Sequence, residues 1–143
     1  MAVNSLAATA VRSTDAGPGW LRKVLALDAV VTGGNGLAYL AFSGPLGELL
    51  GIDRMVLLDI GAFLLLFGAG VGFLASRRRP SELAVKALVD ANLVWAVLSI
   101  VSLVVWFEPS TAGTVWIPMQ AATVAGFAAL QWWALRSTAR SAR

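Results

Sequence analysis

Four long apolar runs limit what this chain can fold into more than any other feature of its sequence. Each run is about 20 residues long, the length at which a helix rising about 1.5 Å per residue crosses roughly 30 Å of hydrocarbon. Charged residues make up only 13% of the chain, whereas about a quarter is usual for a soluble domain. We therefore predict an all-α membrane protein with four transmembrane helices.

The predicted transmembrane domain covers residues 20–136. Its four spans lie at residues 21–42, 55–75, 83–107 and 114–135. Short connections force neighbouring helices to run antiparallel, so the pattern predicts an up-down-up-down bundle. Residues 1–19 are small and polar and lack periodicity, which is typical of a flexible tail, and residues 137–143 form a short basic tail.

Local signals predict how the spans begin and how they are joined. The segment SGPLGELLGIDR is rich in glycine and proline, and we expect it to form a turn between spans one and two. Ser81 follows Pro80 and is placed to cap the third span. Pro118 is expected in the first turn of span four, where its missing N–H costs little.

Basic residues are distributed very unequally between the two sides of this topology. One side holds Arg12, Arg22, Lys23, Arg77, Arg78, Arg79, Lys86, Arg136, Arg140 and Arg143, and the other holds Arg54 alone. Because positive loops resist translocation, this asymmetry predicts that both termini and both tails are cytoplasmic. It also explains the net charge of +3 without nucleic acid. For the Arg77–Arg79 triplet, binding of anionic lipid headgroups is the alternative to topology anchoring alone.

The chain contains no cysteine and no histidine. Without cysteine there is no disulfide, thiolate nucleophile or iron–sulfur centre, and without histidine the usual zinc ligand and general base are missing. Neither a nucleotide-binding glycine motif nor a Ser-His-Asp set occurs. We therefore expect no cofactor, no metal and no catalytic activity.

Three aspartates lie inside the predicted spans. Asp28, Asp59 and Asp90 each follow a basic residue by four or five positions. A carboxylate in hydrocarbon is costly, at about 2.5 to 3.5 kcal/mol near a helix centre. We expect the preceding Lys23, Arg54 and Lys86 to offset part of this cost through their long, snorkelling side chains.

Span one has a polar stripe along one face. At 100° per residue, four polar side chains fall within about 60° of one another; they are Asp28, Thr32, Asn35 and Tyr39. The neighbouring glycines at positions 33, 34 and 36 would let another helix approach closely. Such a stripe must face other helices or water. It predicts either hydrogen bonds between helices or a path for a proton or substrate.

Polar side chains on spans three and four are candidate partners for this stripe. Gln120 and Gln131 lie on span four, the former in line with Trp116, and Asn92 lies on a face of span three different from that of Asp90. Span two contributes Gly68 and Gly72, a ridge of small residues that permits close helix crossing. That ridge predicts packing within the bundle or self-association between bundles.

Four segments of the sequence resemble segments of other small membrane proteins. LALDAVVTGGNGLAYL, GPLGELLGID, NLVWAVLS and ALQWWALR are together similar to segments of a broad group of small, uncharacterised four-helix bacterial integral membrane proteins. The resemblance covers most of residues 20–136. It implies the four-helix fold and a location in the bacterial inner (plasma) membrane, and it implies no activity for any residue.

These features favour a non-catalytic accessory or interaction subunit of the bacterial inner membrane. Its partners would be the lipid bilayer and either further copies of itself or another membrane subunit. The alternative is an oligomeric, proton-coupled small-molecule transporter or channel in which Asp28 exchanges a proton with water. An enzyme acting on lipid would need a catalytic set that the sequence does not offer.

Overall fold

The computed structural model describes residues 18–143, and within them all regular structure is helical. The five helices are α1 (Pro18–Ala41), α2 (Ser43–Leu50), α3 (Arg54–Ser76), α4 (Glu82–Val105) and α5 (Thr111–Ser141). All but the short α2 are long and apolar enough to cross a membrane, which makes the chain a multi-pass helical membrane protein. The predicted tail at 1–19 lies outside the described residues, except that positions 18 and 19 begin α1.

The four long helices agree with the predicted spans to within a few residues at most ends. The largest difference is in α5, which begins at Thr111 and continues to Ser141, so most of the predicted basic tail is helical. Pro118 is therefore the eighth residue of α5, and the expectation that it lies in the first turn is wrong. Ser81 does cap α4, because its side chain accepts a hydrogen bond from the Ala84 amide at 3.4 Å.

The connection predicted as a turn contains α2. This helix ends at Leu50 and is followed by Gly51, whose φ of +68° lies in the left-handed region where glycine is the least strained residue. The end of α2 lies against the start of α5: the Ser110 amide donates to the Leu50 carbonyl at 3.1 Å. Gly113 also closely approaches that carbonyl, so a side chain at position 113 would collide with the backbone of α2.

The helices associate as two antiparallel pairs that meet along α1 and α5. In the first pair, Gly36 of α1 contacts Gly61 of α3, and Gly33 of α1 contacts Gly68 of α3. The residue numbers fall along α1 as they rise along α3, so the two helices are antiparallel. α5 packs on both α4 and α1, whereas α3 and α4 make no extensive contact within the described residues. A cleft therefore lies between α3 and α4.

Glycines allow the backbones of α1 and α3 to approach closely. A Cβ at Gly36 would lie 2.7 Å from the Leu65 backbone nitrogen, and one at Gly68 would lie 2.8 Å from the Gly33 nitrogen. Of the two glycines in the predicted ridge, only Gly68 takes part in this close approach. A Cβ at Gly72 would lie 3.6 Å from the Ala29 Cβ, an ordinary contact distance. The close approach therefore depends on Gly36, Gly61 and Gly68, and Gly72 lies outside it.

Two apolar clusters fill the interior of the bundle. One is built around Leu21, Leu25 and Val85 at the end where α1 begins, and the other around Leu57 and Ile117 near α2. Between them lies a layer of buried polar side chains: Asp28, Thr32, Asn92 and Gln131. The core is thus interrupted by polar groups at the level where three helices meet.

We predict that Gly36→Ala destabilises the protein and that Gly34→Ala does not. The added methyl group at position 36 meets backbone atoms that cannot move aside, and such overpacking costs about 1 to 3 kcal/mol. Position 34 has open space around it, and alanine favours a helix over glycine by about 1 kcal/mol. Thermal unfolding of the detergent-solubilised protein measures both effects. Equal melting temperatures for the two variants would contradict this account of the α1–α3 contact.

Candidate functional site

Asp28 is the centre of the buried polar layer. Its side chain is only 1% exposed, and both carboxylate oxygens accept hydrogen bonds. Thr32 donates to Oδ1 at 2.8 Å, while Asn92 and Gln131 donate to Oδ2 at 3.2 and 2.5 Å. These three donors come from α1, α4 and α5. The carboxylate therefore joins three helices at one point.

The two amides that contact Asp28 also contact each other. The Asn92 amino group lies 3.2 Å from the Gln131 Oε1 oxygen as well as 3.2 Å from the aspartate. Both amide side chains are buried, and Gln131 has no exposed surface. All donors in this cluster are neutral, so the cluster is held by hydrogen bonds rather than by an ion pair.

The rest of the polar stripe on α1 faces α5. Asn35 donates to the Gln120 Oε1 oxygen at 3.0 Å, and the Tyr39 hydroxyl accepts from the Trp116 indole N–H at 2.8 Å. With the bond between Asp28 and Gln131, these pairs form three levels of polar contact between the two helices. The stripe thus lies between helices along its whole length.

The other two intramembrane aspartates lie on the outer surface of the bundle. Asp59 and Asp90 are both exposed, and within residues 18–143 neither accepts a hydrogen bond or forms an ion pair. The basic residues expected to compensate them are engaged elsewhere. Lys86 pairs with Glu82 at 2.6 Å, and Arg54 donates to the Ser43 hydroxyl at 3.3 Å.

For Asp28, Lys23 forms no ion pair within residues 18–143, whereas two of the candidate partners on the other spans, Asn92 and Gln131, do contact it. Lys23 is exposed at the end of the bundle, while the partners of Asp28 are Thr32, Asn92 and Gln131. Spacing along one helix identifies neighbours on its surface only. A buried side chain can instead use groups from other helices, and amides satisfy a carboxylate without placing a second charge in the core.

A cavity of about 290 Å³ lies beside the stripe, in the cleft between α3 and α4. Asn35, Tyr39 and Gln120 contribute polar atoms to its wall, and Trp95 and Trp116 contribute aromatic surface. A neighbouring cavity of about 320 Å³ shares Thr32 and Trp95 with the first and extends to Asn92. Phe63 of α3 stacks on Trp95 of α4 across the cleft, with ring centroids 5.2 Å apart.

Sequence reasoning did not find this cavity. Trp95 and Phe63 are each one of many apolar residues in their spans. Nothing in the pattern indicates that α3 and α4 lie apart, because connected helices usually pack together. The only sequence signal for the cavity is that spans two, three and four each carry aromatic residues at a similar depth in the membrane.

The polar groups of the site bond to one another and to the backbones of their own helices. Among residues 18–143 no three carboxylate, histidine or cysteine side chains come together in a way that could hold a metal ion. The hydroxyls of Ser99 and Thr123 donate to backbone carbonyls of their own helices. What the site can do is hold helices together through Asp28 and enclose a small uncharged molecule beside the stripe.

Comparison with known proteins identifies no relative of this chain. No family model, curated protein or solved structure matches the chain. Interpretation of the site therefore depends on its geometry.

We predict that Asp28→Asn folds almost normally and that Asp28→Leu is destabilised by about 2 kcal/mol or more. An asparagine oxygen can accept from Asn92 and Gln131 while its amino group donates to the Thr32 hydroxyl. Leucine removes the acceptor of Thr32 and Gln131 and leaves Asn92 only its bond to Gln131. Thermal unfolding in detergent distinguishes the two variants. A large loss with asparagine would show that the negative charge itself is needed.

Proposed function

We propose that this protein is a non-catalytic accessory or interaction subunit of a bacterial inner membrane, in which it associates with a second copy or with another membrane subunit. The observation that carries the proposal is Asp90. This carboxylate lies on the outward face of α4 with no partner among the described residues. Intramembrane acids nearly always pair with another group, so an outward-facing one calls for a donor on a neighbouring protein.

The position of Asp90 strengthens this argument. α4 extends from Glu82 to Val105, so Asp90 lies about 5 Å from the middle of the helix along its axis. Asn92, two residues away, points inward to Asp28. Lys86, one turn earlier, is held by Glu82. The remaining surroundings of Asp90 on this face are apolar, including Val94 and Val97.

The enclosure of Asp28 favours this role over the transport alternative. A proton-coupled transporter needs an acid that exchanges protons with water. Asp28 is 1% exposed and its oxygens already accept from three side chains. Those contacts support a structural role for this residue.

The distribution of charge supports a topology with both termini in the cytoplasm. The antiparallel pairing of α1 with α3 and of α4 with α5 brings the start of α1, the start of α4 and the end of α5 to one end of the bundle. Arg22, Arg77–Arg79 and Arg136 lie near that end, and Arg54 lies near the other. The positive-inside rule assigns the basic end to the cytoplasm. With that orientation, the four long helices cross the membrane in an up-down-up-down arrangement.

The topology is tested by labelling single cysteines from outside intact cells. The chain has no native cysteine, so each substitution is read without background. We expect a membrane-impermeant maleimide to label Glu48→Cys and Thr111→Cys, and to label Ser81→Cys only after the membrane is permeabilised. All three positions are exposed. Labelling of Ser81→Cys alone in intact cells would reverse the orientation.

The interaction role is tested by Asp90→Leu. In a mild detergent we expect the parent protein to have a native mass above its 15.0 kDa monomer, as a homo-oligomer or with a co-purified subunit. Asp90→Leu should shift it to the monomer without lowering its melting temperature, because Asp90 has no contact to lose inside the bundle.

Leu66→Ala is the matched control for that experiment. Leu66 is 75% exposed on α3 and apolar, so its truncation tests whether any change of the outer surface disturbs assembly. We expect this variant to behave like the parent. An Asp90→Leu protein with the parent's mass and partners would contradict the proposed role of Asp90.

A further inference from the structure

The cavity beside the polar stripe has a wall with unused hydrogen-bonding groups. Asn35 and Gln120 share one hydrogen bond, so in either orientation of the two amides one carbonyl oxygen and one amino group have no partner among the described residues. The Tyr39 hydroxyl accepts from Trp116, which leaves its own proton free to donate. All three side chains line the cavity. Two donors and one acceptor are therefore available to a bound molecule.

The remainder of the wall is uncharged and combines aromatic rings with aliphatic side chains such as Leu57, Ile60 and Leu64. Rings from Trp95, Trp106 and Trp116 line the cavity together with Phe107 and Phe127. None of the described residues that line it is charged. Aromatic rings favour flat partners through stacking and edge contacts, and an uncharged wall cannot compensate an ion. The chemistry of the wall selects for a neutral, flat molecule.

The size and position of the cavity limit the ligand further. Its volume of about 290 Å³ is close to the lower end of the range for small-molecule sites, about 300 to 1,000 Å³. The cavity borders the cleft between α3 and α4, where its lining residue Leu98 is about half exposed on the surface that faces lipid. A ligand would thus enter from the membrane, which again favours a neutral compound.

We propose that this cavity binds a neutral, planar aromatic compound of one or two rings that carries a carbonyl or hydroxyl oxygen, taken up from the bilayer. The oxygen accepts from the free amino group of the Asn35–Gln120 pair and from the Tyr39 hydroxyl. The ring packs against Trp95 and Trp116. This inference is independent of the partner that Asp90 contacts, because the two groups lie on different surfaces of the bundle.

The probe for the test is 2-methyl-1,4-naphthoquinone, with 2-methylnaphthalene as its matched hydrocarbon. Both are flat two-ring compounds, and only the first has oxygens. The protein has no cysteine that the quinone could alkylate. A ligand that binds the folded state raises the melting temperature by an amount that grows with the logarithm of the ratio of its concentration to its Kd. Titration of the full chain in detergent with each compound therefore gives the two Kd values.

Ser99 offers a pair of variants that fill or preserve the cavity. Its hydroxyl donates to the Trp95 carbonyl of its own helix, so replacing it breaks no hydrogen bond between helices. Ser99→Phe places a ring inside the cavity, and Ser99→Ala leaves the space open. Gln120→Leu is a third variant that removes the polar group without filling the space.

We expect the quinone to bind the parent and Ser99→Ala with similar Kd, and to bind Ser99→Phe at least tenfold more weakly. The hydrocarbon should bind the parent at least tenfold more weakly than the quinone. Gln120→Leu should weaken binding of the quinone and leave the Kd of the hydrocarbon unchanged, a comparison that holds even if Ser99→Phe fails to fold.

Three results would overturn the proposal. Equal Kd for quinone and hydrocarbon would mean that the cavity accepts any apolar group, such as a lipid chain. Equal quinone binding to the parent and to a folded Ser99→Phe would place the binding elsewhere on the protein. A melting temperature that the quinone does not raise in the parent would mean that the cavity does not bind this class of compound.

Discussion

The hydrogen bonds between α1 and α5 are the interactions on which the arrangement of the helices depends most. Within the pairs, α1 packs closely on α3 through glycines, and α4 packs extensively on α5. The two pairs meet where Asp28, Asn35 and Tyr39 contact α5. In hydrocarbon no water competes for these groups, so their partners fix how the pairs are aligned along the membrane normal. Each such hydrogen bond stabilises a membrane protein by only about 0.6 kcal/mol on average. Their main effect is therefore to select one alignment of α1 against α5.

The sequence predicted the number and extent of the long helices because hydropathy and length are properties of each segment alone. It also predicted that Asp28, Thr32, Asn35 and Tyr39 share a face, since helical periodicity determines which residues share a side. It did not predict that Asn92 and Gln131 meet at one carboxylate. That contact depends on rotation and depth of three helices together, which no local pattern encodes.

Two further features, α2 and the identity of the tightly packed glycines, could not be predicted from the sequence for similar reasons. α2 lies in a segment whose glycine and proline content favours a turn. Its helix contacts α3, which follows it directly, and α5, which comes from a distant part of the chain. The tight glycines proved to be Gly36 and Gly61 together with Gly68, whereas Gly72 has room for a side chain. Small residues identify where helices could approach, but the crossing point decides which of them are needed.

The contact between α2 and α5 has a consequence for how the chain assembles during synthesis. Ser110 bonds to the carbonyls of Leu49 and Leu50, and the first of these bonds joins residues 61 positions apart. The carbonyl end of α2, with its partial negative charge, meets the amide end of α5, with its partial positive charge. This junction forms only after α3 and α4 have been inserted and α5 has emerged. Its closure is therefore a late, long-range step that fastens the last helix to the first connection.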